Sequence, residues 1–477
     1  MVGQALHRAR FAHTSEVWPL LSSSFAHDGV LLGTRRFLLS KRLVTVRKTN
    51  LRPELGNLLI VAPTRSGKGL LAVSQLLTWH HSVIVNDIKG DLFSQTAGFR
   101  SLLGPVYVLD PTGIGHAYDP LQNKATEDAL YSSAAHLLHQ AEEKDKIFTQ
   151  RATTMLACIF AAAKQEEAPA LLYARTTLRA GLAGCVERLQ TVAPELATVF
   201  LDVSVENANL TDRFLLSAWG TLTARMRPLL TETVARSLTH SDLTPEEIIT
   251  SPRPVTVYMR WKEQDLLALS PLVRLLWGSL IDELVATYDR RAGNGCQPVM
   301  LLIDEAGRTA IPSLADHATT VVGRGISIWL AVQSLSQLEV VYGKARAQVL
   351  RDNMESQLYY RPTDIATAHY VEARCGRQSA YAHTTTEQHN GHTSEGRSEQ
   401  AIPLLSAHEF LRYQDHEVIG FHRALPPFKL HRMDWRQHPL LQKRRTVPQP
   451  VLPILAPLAD LPMLQAIDRT VYINPDR

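Results

Sequence analysis

The sequence predicts an α/β fold: a mostly parallel central sheet interrupted by an all-α insertion. Three observations carry this. Short apolar runs at Leu58–Val61, Val83–Asn86 and Val106–Leu109 each end in a polar turn, reading APTRSGKG, Asp87-Ile88-Lys89-Gly90 and Asp110-Pro111-Thr112. A further continuous apolar run, Val299–Ile303, ends in Asp304-Glu305. Runs with no polar alternation suit strands buried on both faces of a parallel sheet. Between them, residues 122–250 are rich in Ala, Leu, Glu and Gln with helical spacing and almost no strand signal.

Taken in order, residues 1–50 hold short strand-like pieces, Phe37–Leu39 and Leu43–Val46, expected as a small entry hairpin or edge. The first half of the sheet follows over 57–120, with helices between its strands. Helical spacing recurs at Ala129–Gln140, Ile147–Lys164 and Leu215–Arg236. Ser251-Pro252 closes the insertion, and Val255–Met259 resumes the sheet. A helix at Leu266–Arg290, the Val299–Ile303 strand, a helix near Ser313–Gly323 and a strand at Ile326–Val332 come next. Glu355–Tyr360 reads as another strand and Asp364–Cys375 as a helix. Residues 379–400 are polar, so we read them as a mobile loop; the spacing of His383, His389 and His392 is a poor metal signature. The tail from Pro439 holds many prolines and the basic run Lys443-Arg444-Arg445, and reads as an extended strap or partner-binding segment.

Composition bounds the function classes. With 477 residues, two or three domains are expected, and 45% hydrophobic and 20% charged residues describe a soluble globular protein. The net charge of +4 does not itself demand a nucleic-acid partner. Its distribution is more telling. Within residues 1–50, Arg8, Arg10, Arg35, Arg36, Lys41, Arg42, Arg47 and Lys48 face only Glu16 and Asp28. Such a stretch suits DNA phosphates, an anionic membrane surface, or simply solvent. Cys158, Cys185, Cys296 and Cys375 form no C-x-x-C pair, which argues against a disulfide framework or zinc site and fits a reducing cytoplasm. No signal peptide or membrane span is read. The most apolar long stretch, Leu266–Tyr288, contains Arg274, Asp282 and Glu283 and reads as a core helix; Met155–Ala163 is far too short.

The string APTRSGKG sits between a strand and a helix, the layout of a phosphate-binding loop. Backbone N–H groups and the helix N-terminus would cradle a triphosphate, with Lys68 over its β- and γ-phosphates. The nucleotide-binding set is Thr64, Arg65, Ser66, Gly67, Lys68, Gly69 and Leu70. Against G-x-x-x-x-G-K-[ST], Ala62 replaces the first glycine and Gly69 replaces the hydroxyl residue that normally meets Mg²⁺. Alone, the loop is also readable as a plain glycine-rich turn. Asp304-Glu305 alone is also readable as two solvated acids at a strand end. Together they point to hydrolysis of ATP or GTP, with Asp304 holding Mg²⁺, through water, and Glu305 as general base. Mg²⁺ keeps several waters, so Ser66 or a water fills the place of the missing hydroxyl. Arg324, in a Gly-Arg-Gly turn, suits an arginine finger reaching a neighbouring protomer, or is a structural surface arginine. Asp87 and Lys89 read equally as turn formers or nucleotide contacts. Arg225 and Arg227, flanking Met226, line a DNA pore or, more simply, a solvated helix face.

These segments together resemble the TraG-type coupling proteins of bacterial type IV secretion and conjugation. The resemblance runs over about residues 55–435. It is carried by APTRSGKG, by LLTWHHSVIVNDIKGDLFSQTAGFR, by Asp110-Pro111 and by Tyr118-Asp119-Pro120-Leu121, with Asp119 in place of the usual Asn. LLIDEAGR, GRGISIWLAVQSLSQLEVVYG and IPLLSAHEF follow in family order. It implies a RecA-like P-loop NTPase with an all-α domain, assembled as a homo-hexamer and using ATP and Mg²⁺. It also implies Gln333 as a γ-phosphate or water sensor, where the residues alone allow a buried strand-end amide. The implied partners are single-stranded DNA, a relaxase and subunits of the secretion channel. The implied architecture agrees with the boundaries expected from composition and pattern: a basic segment at 1–50, a RecA-like domain at 51–121 and 251–435, the all-α domain at 122–250 and a Pro-rich tail at 436–477. Members of that family usually begin with two transmembrane helices, and none is read here. The expectation is therefore a cytoplasmic chain that reaches the inner-membrane face through partners. A secretion-signal receptor with weak ATPase, and an FtsK–HerA-like translocase with no secretion role, are the other readings.

Overall fold

The computed structural model describes residues 8–37, 40–49, 54–111, 113–138, 146–308, 311, 313–387 and 393–458. Thr112, Gln140, the second half of the Phe37–Leu39 piece, His389, His392 and the tail beyond 458 lie outside these.

The strands, in chain order, are β1 (Leu21–Ser22), β2 (Val30–Phe37), β3 (Ser40–Val46), β4 (Leu58–Val61), β5 (Ser82–Asp87), β6 (Val106–Leu109), β7 (Thr256–Arg260), β8 (Val299–Ile303), β9 (Ile326–Val332), β10 (Ser356–Tyr360), β11 (Arg377–Glu387), β12 (Thr393–Pro403), β13 (Glu417–His422) and β14 (Phe428–His431). Twelve of them form one sheet in the order β1-β3-β2-β14-β13-β10-β4-β9-β8-β5-β7-β6. From β10 to β6 every pairing is parallel. From β10 outward to β1 every pairing is antiparallel. The basic N-terminal hairpin thus joins the main sheet through β14.

Every residue of β4, β5, β8, β9 and β10 is buried. Successive side chains alternate between two cores, as the two-residue period of a strand requires. On β4, Leu59 and Val61 join one core, and Leu58 and Ile60 the other. The first core also takes the helices between β6 and β7; the second takes helices Lys68–Leu76 and Asp91–Leu103 and the N-terminal strands.

Between Leu109 and Thr256 the described residues hold helices and no named strand. The longest is Lys146–Gln165. The single helix expected at Leu215–Arg236 is instead Arg213–Met226, a 3₁₀ turn Arg227–Leu230 and a short helix Glu232–Arg236. Pro228 has no N–H to continue the ladder, and the Thr231 side chain accepts from the Val234 N–H to start again. Helix Leu266–Arg291 buries Leu272, Val273, Leu276, Trp277, Leu280 and Ile281, so it is a core helix. No helix among the described residues is long and apolar enough to cross a membrane.

Residues 379–400 depart from the expected mobile loop. β11 and β12 pair antiparallel from Arg377↔Pro403 to Glu387↔Thr393, forming a two-stranded ribbon apart from the main sheet. No apolar alternation marks these strands in the sequence (RQSAYAHTTTE and TSEGRSEQAIP), so the period that flags a half-buried strand is missing. The ladder is closed at its base by the Leu404 N–H bonded to the Gly376 carbonyl at 2.9 Å.

The described part of the tail, residues 439–458, starts as a short helix rather than an extended segment, and its basic run is used internally. Helix Pro439–Arg445 lies beside helix Asp91–Leu103, with Arg444 donating to the Leu77 carbonyl at 2.6 Å and stacking 4.5 Å from the Phe99 ring centroid. The chain then passes so close to Gly98 that a Cβ there would lie 2.0 Å from the Val447 carbonyl oxygen. The Gly115 N–H reaches Pro453 O at 2.8 Å, and Leu455 N reaches Gly113 O at 3.1 Å. Gly98→Ala is therefore expected to destabilise by about 1–3 kcal/mol through overpacking against backbone. Gly220→Ala, in the middle of helix Arg213–Met226 with nothing within 4 Å, is expected to stabilise by about 0.4–1 kcal/mol. Denaturant unfolding of both variants checks the pair; equal effects of the same sign would refute the strap contact.

Candidate active site

The carboxyl ends of β4, β9 and β8, adjacent in the sheet, open on one cleft. Ligands gather at that edge in open parallel sheets. After β4 the chain turns through Pro63–Gly67 into helix Lys68–Leu76. Arg65 (φ 63) and Gly67 (φ 100) take left-handed backbone, which lets the loop curl. The Ser66 hydroxyl donates to the Pro63 carbonyl at 2.6 Å and braces the turn from within. A Cβ at Gly69 would meet nothing within 4 Å, so packing does not require glycine where the common pattern has a hydroxyl residue.

Lys68 Nζ lies 3.0 Å from Asp304 Oδ1 and 2.9 Å from Glu305 Oε1. Residues 237 positions apart thus meet at one point. The Gln333 amide, just past β9, donates to Glu305 Oε2 at 2.9 Å. Gln333 N in turn donates to Gln337 Oε1 at 3.1 Å, and that side chain lies on Gly307, where any Cβ would collide with it. Asn86 Nδ2 holds the Asp304 carbonyl at 2.8 Å, and the Glu305 N–H donates to Asp304 Oδ1 at 3.0 Å. Glu305 itself takes φ 56, an unfavourable left-handed conformation for a non-glycine.

The electrostatics follow from two acids sharing one ammonium. Burial works against the Lys68 charge, but Asp304 and Glu305 outweigh it and hold its pKa above the ordinary value. Burial pushes the Asp304 carboxyl up, and Lys68 offsets this only in part. At Glu305 burial is outweighed by Lys68 and the Gln333 amide, so its pKa stands below the usual carboxylate value.

The cleft is about 790 Å³ and is lined by Thr64, Arg65, Gly67, Lys68, Gly69 and Leu70, as well as the two acids. Asp87 is a helix cap: its carboxylate accepts from Phe93 N at 2.7 Å and Leu92 N at 3.3 Å, and burial lifts its pKa to about 6. Lys89 lines the cleft and helps to lower Glu305. Arg324 stands apart. It precedes β9 at the opposite end from Gln333, and the strand between them spans roughly 20 Å at a rise of ~3.3 Å per residue. There it forms a bidentate pair with Asp289 at 2.7 and 2.9 Å. Arg225 is bonded to the Leu138 carbonyl, while Arg227 is exposed.

Sequence reasoning missed the residues that the C-terminal segment brings here. Arg432, Trp435 and Arg436 line the cleft. Arg432 Nη1 donates to the Ser66 carbonyl at 3.1 Å. No pattern in RMDWRQ signals this; only the return of β14 to the sheet does so. Several basic N-terminal residues have partners within the chain: Arg10 pairs with Glu16 at 2.7 Å and Lys41 meets Gln437 at 2.9 Å. Among the described residues no cluster of His, Cys, Asp and Glu is arranged to hold a metal by itself.

A glycine-rich loop and its lysine, an Asp-Glu pair at the end of a sheet strand and a parallel sheet with this order define a RecA-like P-loop NTPase fold. The chain belongs to the type IV secretory system conjugative DNA transfer family, whose model matches residues 34–453. Protein VirD4 of Rhizobium radiobacter is 26% identical over 440 residues, covering 84% of this chain and 60% of that protein. The conjugal transfer protein TraG of Escherichia coli is 26% identical over 397 residues, covering 75% and 61%. The chain therefore spans about 60% of the length of these relatives. Among solved structures, plasmid coupling protein TrwB in complex with ADP and Mg²⁺ superposes with TM-score 0.63 at 17% identity, covering 96% of this chain and 98% of that one. The trigonal TrwBdeltaN70 form with sulphate gives 0.64 at 17% identity, covering 90% and 94%. At these identities the structural likeness speaks to the fold.

Proposed function

We propose that this chain is the ATPase of a conjugative coupling machine: it hydrolyses ATP with Mg²⁺ to bring a relaxase–DNA substrate to a type IV secretion channel and to drive single-stranded DNA. The observation that carries the reading is the convergence of Lys68 on Asp304 and Glu305 at 3.0 and 2.9 Å. TrwB in complex with an ATP analogue, and with ADP and Mg²⁺, supports the choice of ligand.

The residues divide the work. Backbone N–H groups from Thr64 to Leu70 cradle the phosphates, and Lys68 neutralises the β- and γ-oxygens. Asp304 would hold Mg²⁺, which would supply charge neutralisation at the transferring phosphoryl group. The Ser66 hydroxyl already serves the loop, so water is the better stand-in for the missing P-loop hydroxyl. Glu305 orients and deprotonates the attacking water, and Gln333 senses the γ-phosphate through its bond to Glu305. When Lys68 turns from the carboxylates to the phosphates, Glu305 loses much of what lowers its pKa and becomes a stronger base. Arg324 serves the neighbouring protomer of a homo-hexamer, since it lies far from its own cleft.

We assign residues 122–250 as an all-α domain set into a RecA-like domain at 51–121 and 251–435. The partners are single-stranded DNA, a relaxase and channel subunits, and the place of action is the cytoplasmic face of the inner membrane, reached through those partners. The experiment is ATP turnover of the purified chain with and without single-stranded DNA, beside sizing of the assembly. Stimulation and a ring are expected; no hydrolysis under either condition would sink the reading.

A further inference from the structure

We propose that the outer end of the cleft is a nucleobase pocket, with the Trp435 indole as its stacking platform and purines as its preferred bases. The inference rests on nucleotide binding at this cleft and adds the segment that recognises the base. Asp304, Glu305 and Lys68 mark the phosphate end. Helix Lys68–Leu76 contributes Leu70 and Val73, and helix Asp91–Leu103 contributes Leu92 and Gln95. Beside the charged Asp87, Lys89 and Asp91, which also line the cleft, these residues offer carbon surface and one amide, suited to a flat heterocycle with polar edges. Trp435 closes this end as a half-buried aromatic wall.

The indole is held in place before any ligand arrives. It opens the 3₁₀ turn Trp435–Gln437, which Asp434 caps by accepting from Arg436 N at 3.0 Å. Asp434 also grips the Arg436 guanidinium at 2.8 and 2.7 Å. Arg445, from helix Pro439–Arg445, lies 4.7 Å from the Trp435 ring centroid. A ring already packed against Arg445 and the second core loses little freedom when a base meets it. Three residues earlier, Arg432 donates to the phosphate-loop carbonyl of Ser66 and lies against Gly67. One segment therefore touches both the loop that takes phosphates and the wall offered to the base. Purines present more area than pyrimidines to such a wall.

The test compares ATP with inorganic tripolyphosphate, which has the charge but no base, on the full chain with Mg²⁺ by calorimetry. Trp435→Ala is expected to weaken ATP by about 10- to 100-fold, as loss of one base–aromatic stack does. Tripolyphosphate affinity is expected to stay unchanged, Trp435→Phe to recover most of the ATP affinity, and the wild-type preference for ATP over CTP to shrink in Trp435→Ala. Should Trp435→Ala not fold, tryptophan fluorescence of wild type against Trp435→Phe decides: ATP quenches the difference signal and tripolyphosphate does not. Unchanged ATP binding, an equal loss for tripolyphosphate, or no quenching overturns the pocket. A folded wild-type chain that binds neither ligand overturns the nucleotide reading itself, a distinct result.

Discussion

Arg324→Ala is expected to lower ATP turnover by about 10³–10⁵ while leaving nucleotide affinity within a few-fold, the signature of a finger that acts on the transition state of another protomer. The geometry sets Arg324 apart from the cleft of its own protomer. Arg324 precedes β9, whereas the cleft lies beyond that strand's other end. Its bidentate partner Asp289 is solvent-exposed, so the pair contributes little and is readily given up for a phosphate across an interface. A mixing experiment separates the possibilities. Arg324→Ala and Glu305→Gln protomers are each inactive alone. Co-assembled, an Arg324→Ala protomer keeps its Glu305 and can borrow Arg324 from a Glu305→Gln neighbour, so activity returns. Absence of complementation in verified mixed rings would remove Arg324 from the machinery.

Glu305→Gln is the second large effect. Turnover is expected to fall by about 10²–10⁴, the usual worth of a positioned general base, with ATP bound as tightly as before or tighter. Gln is nearly isosteric and leaves Lys68 its contact to Asp304. The pH profile gives an independent sign. Without ligand, Lys68 and Gln333 keep Glu305 below the usual carboxylate range, so it is ionised at neutral pH. With Lys68 engaged on phosphates its pKa rises, and the acid limb of kcat should lie above that of the free enzyme. In the Gln variant this limb disappears. Single-turnover hydrolysis and equilibrium binding measured across pH check both statements; retained turnover, or binding lost in parallel, would reject Glu305 as the base.

The sheet was legible wherever burial on both faces forced continuous apolar runs. Leu58–Val61, Val299–Ile303 and Ile326–Val332 match the observed strands to the residue, as does Val106–Leu109 at the sheet edge, where Val106 and Tyr107 are only half-buried. The loop-to-acid pairing was legible too, since a glycine-lysine turn and an Asp-Glu strand end, each ambiguous alone, reinforce one another. What escaped did so for physical reasons. The strands of the β11–β12 ribbon are polar and carry no hydrophobic period. The break at Pro228 fell inside an otherwise unbroken helical pattern. The basic run at 443–445 looked like bait for a partner, yet Arg444 and Arg445 stack on Phe99 and Trp435 of the same chain.

Local chemistry alone, then, determined the kind of sheet, the phosphate loop and the acids that answer it, because each depends on residues adjacent in sequence. Which distant segments share the cleft was decided by tertiary structure. The antiparallel return of β13 and β14 delivers Arg432 and Trp435 to the phosphate loop, and the length of β9 sends Arg324 to the far edge. Such contacts are set by strand order and chain path, quantities that no short stretch of residues encodes.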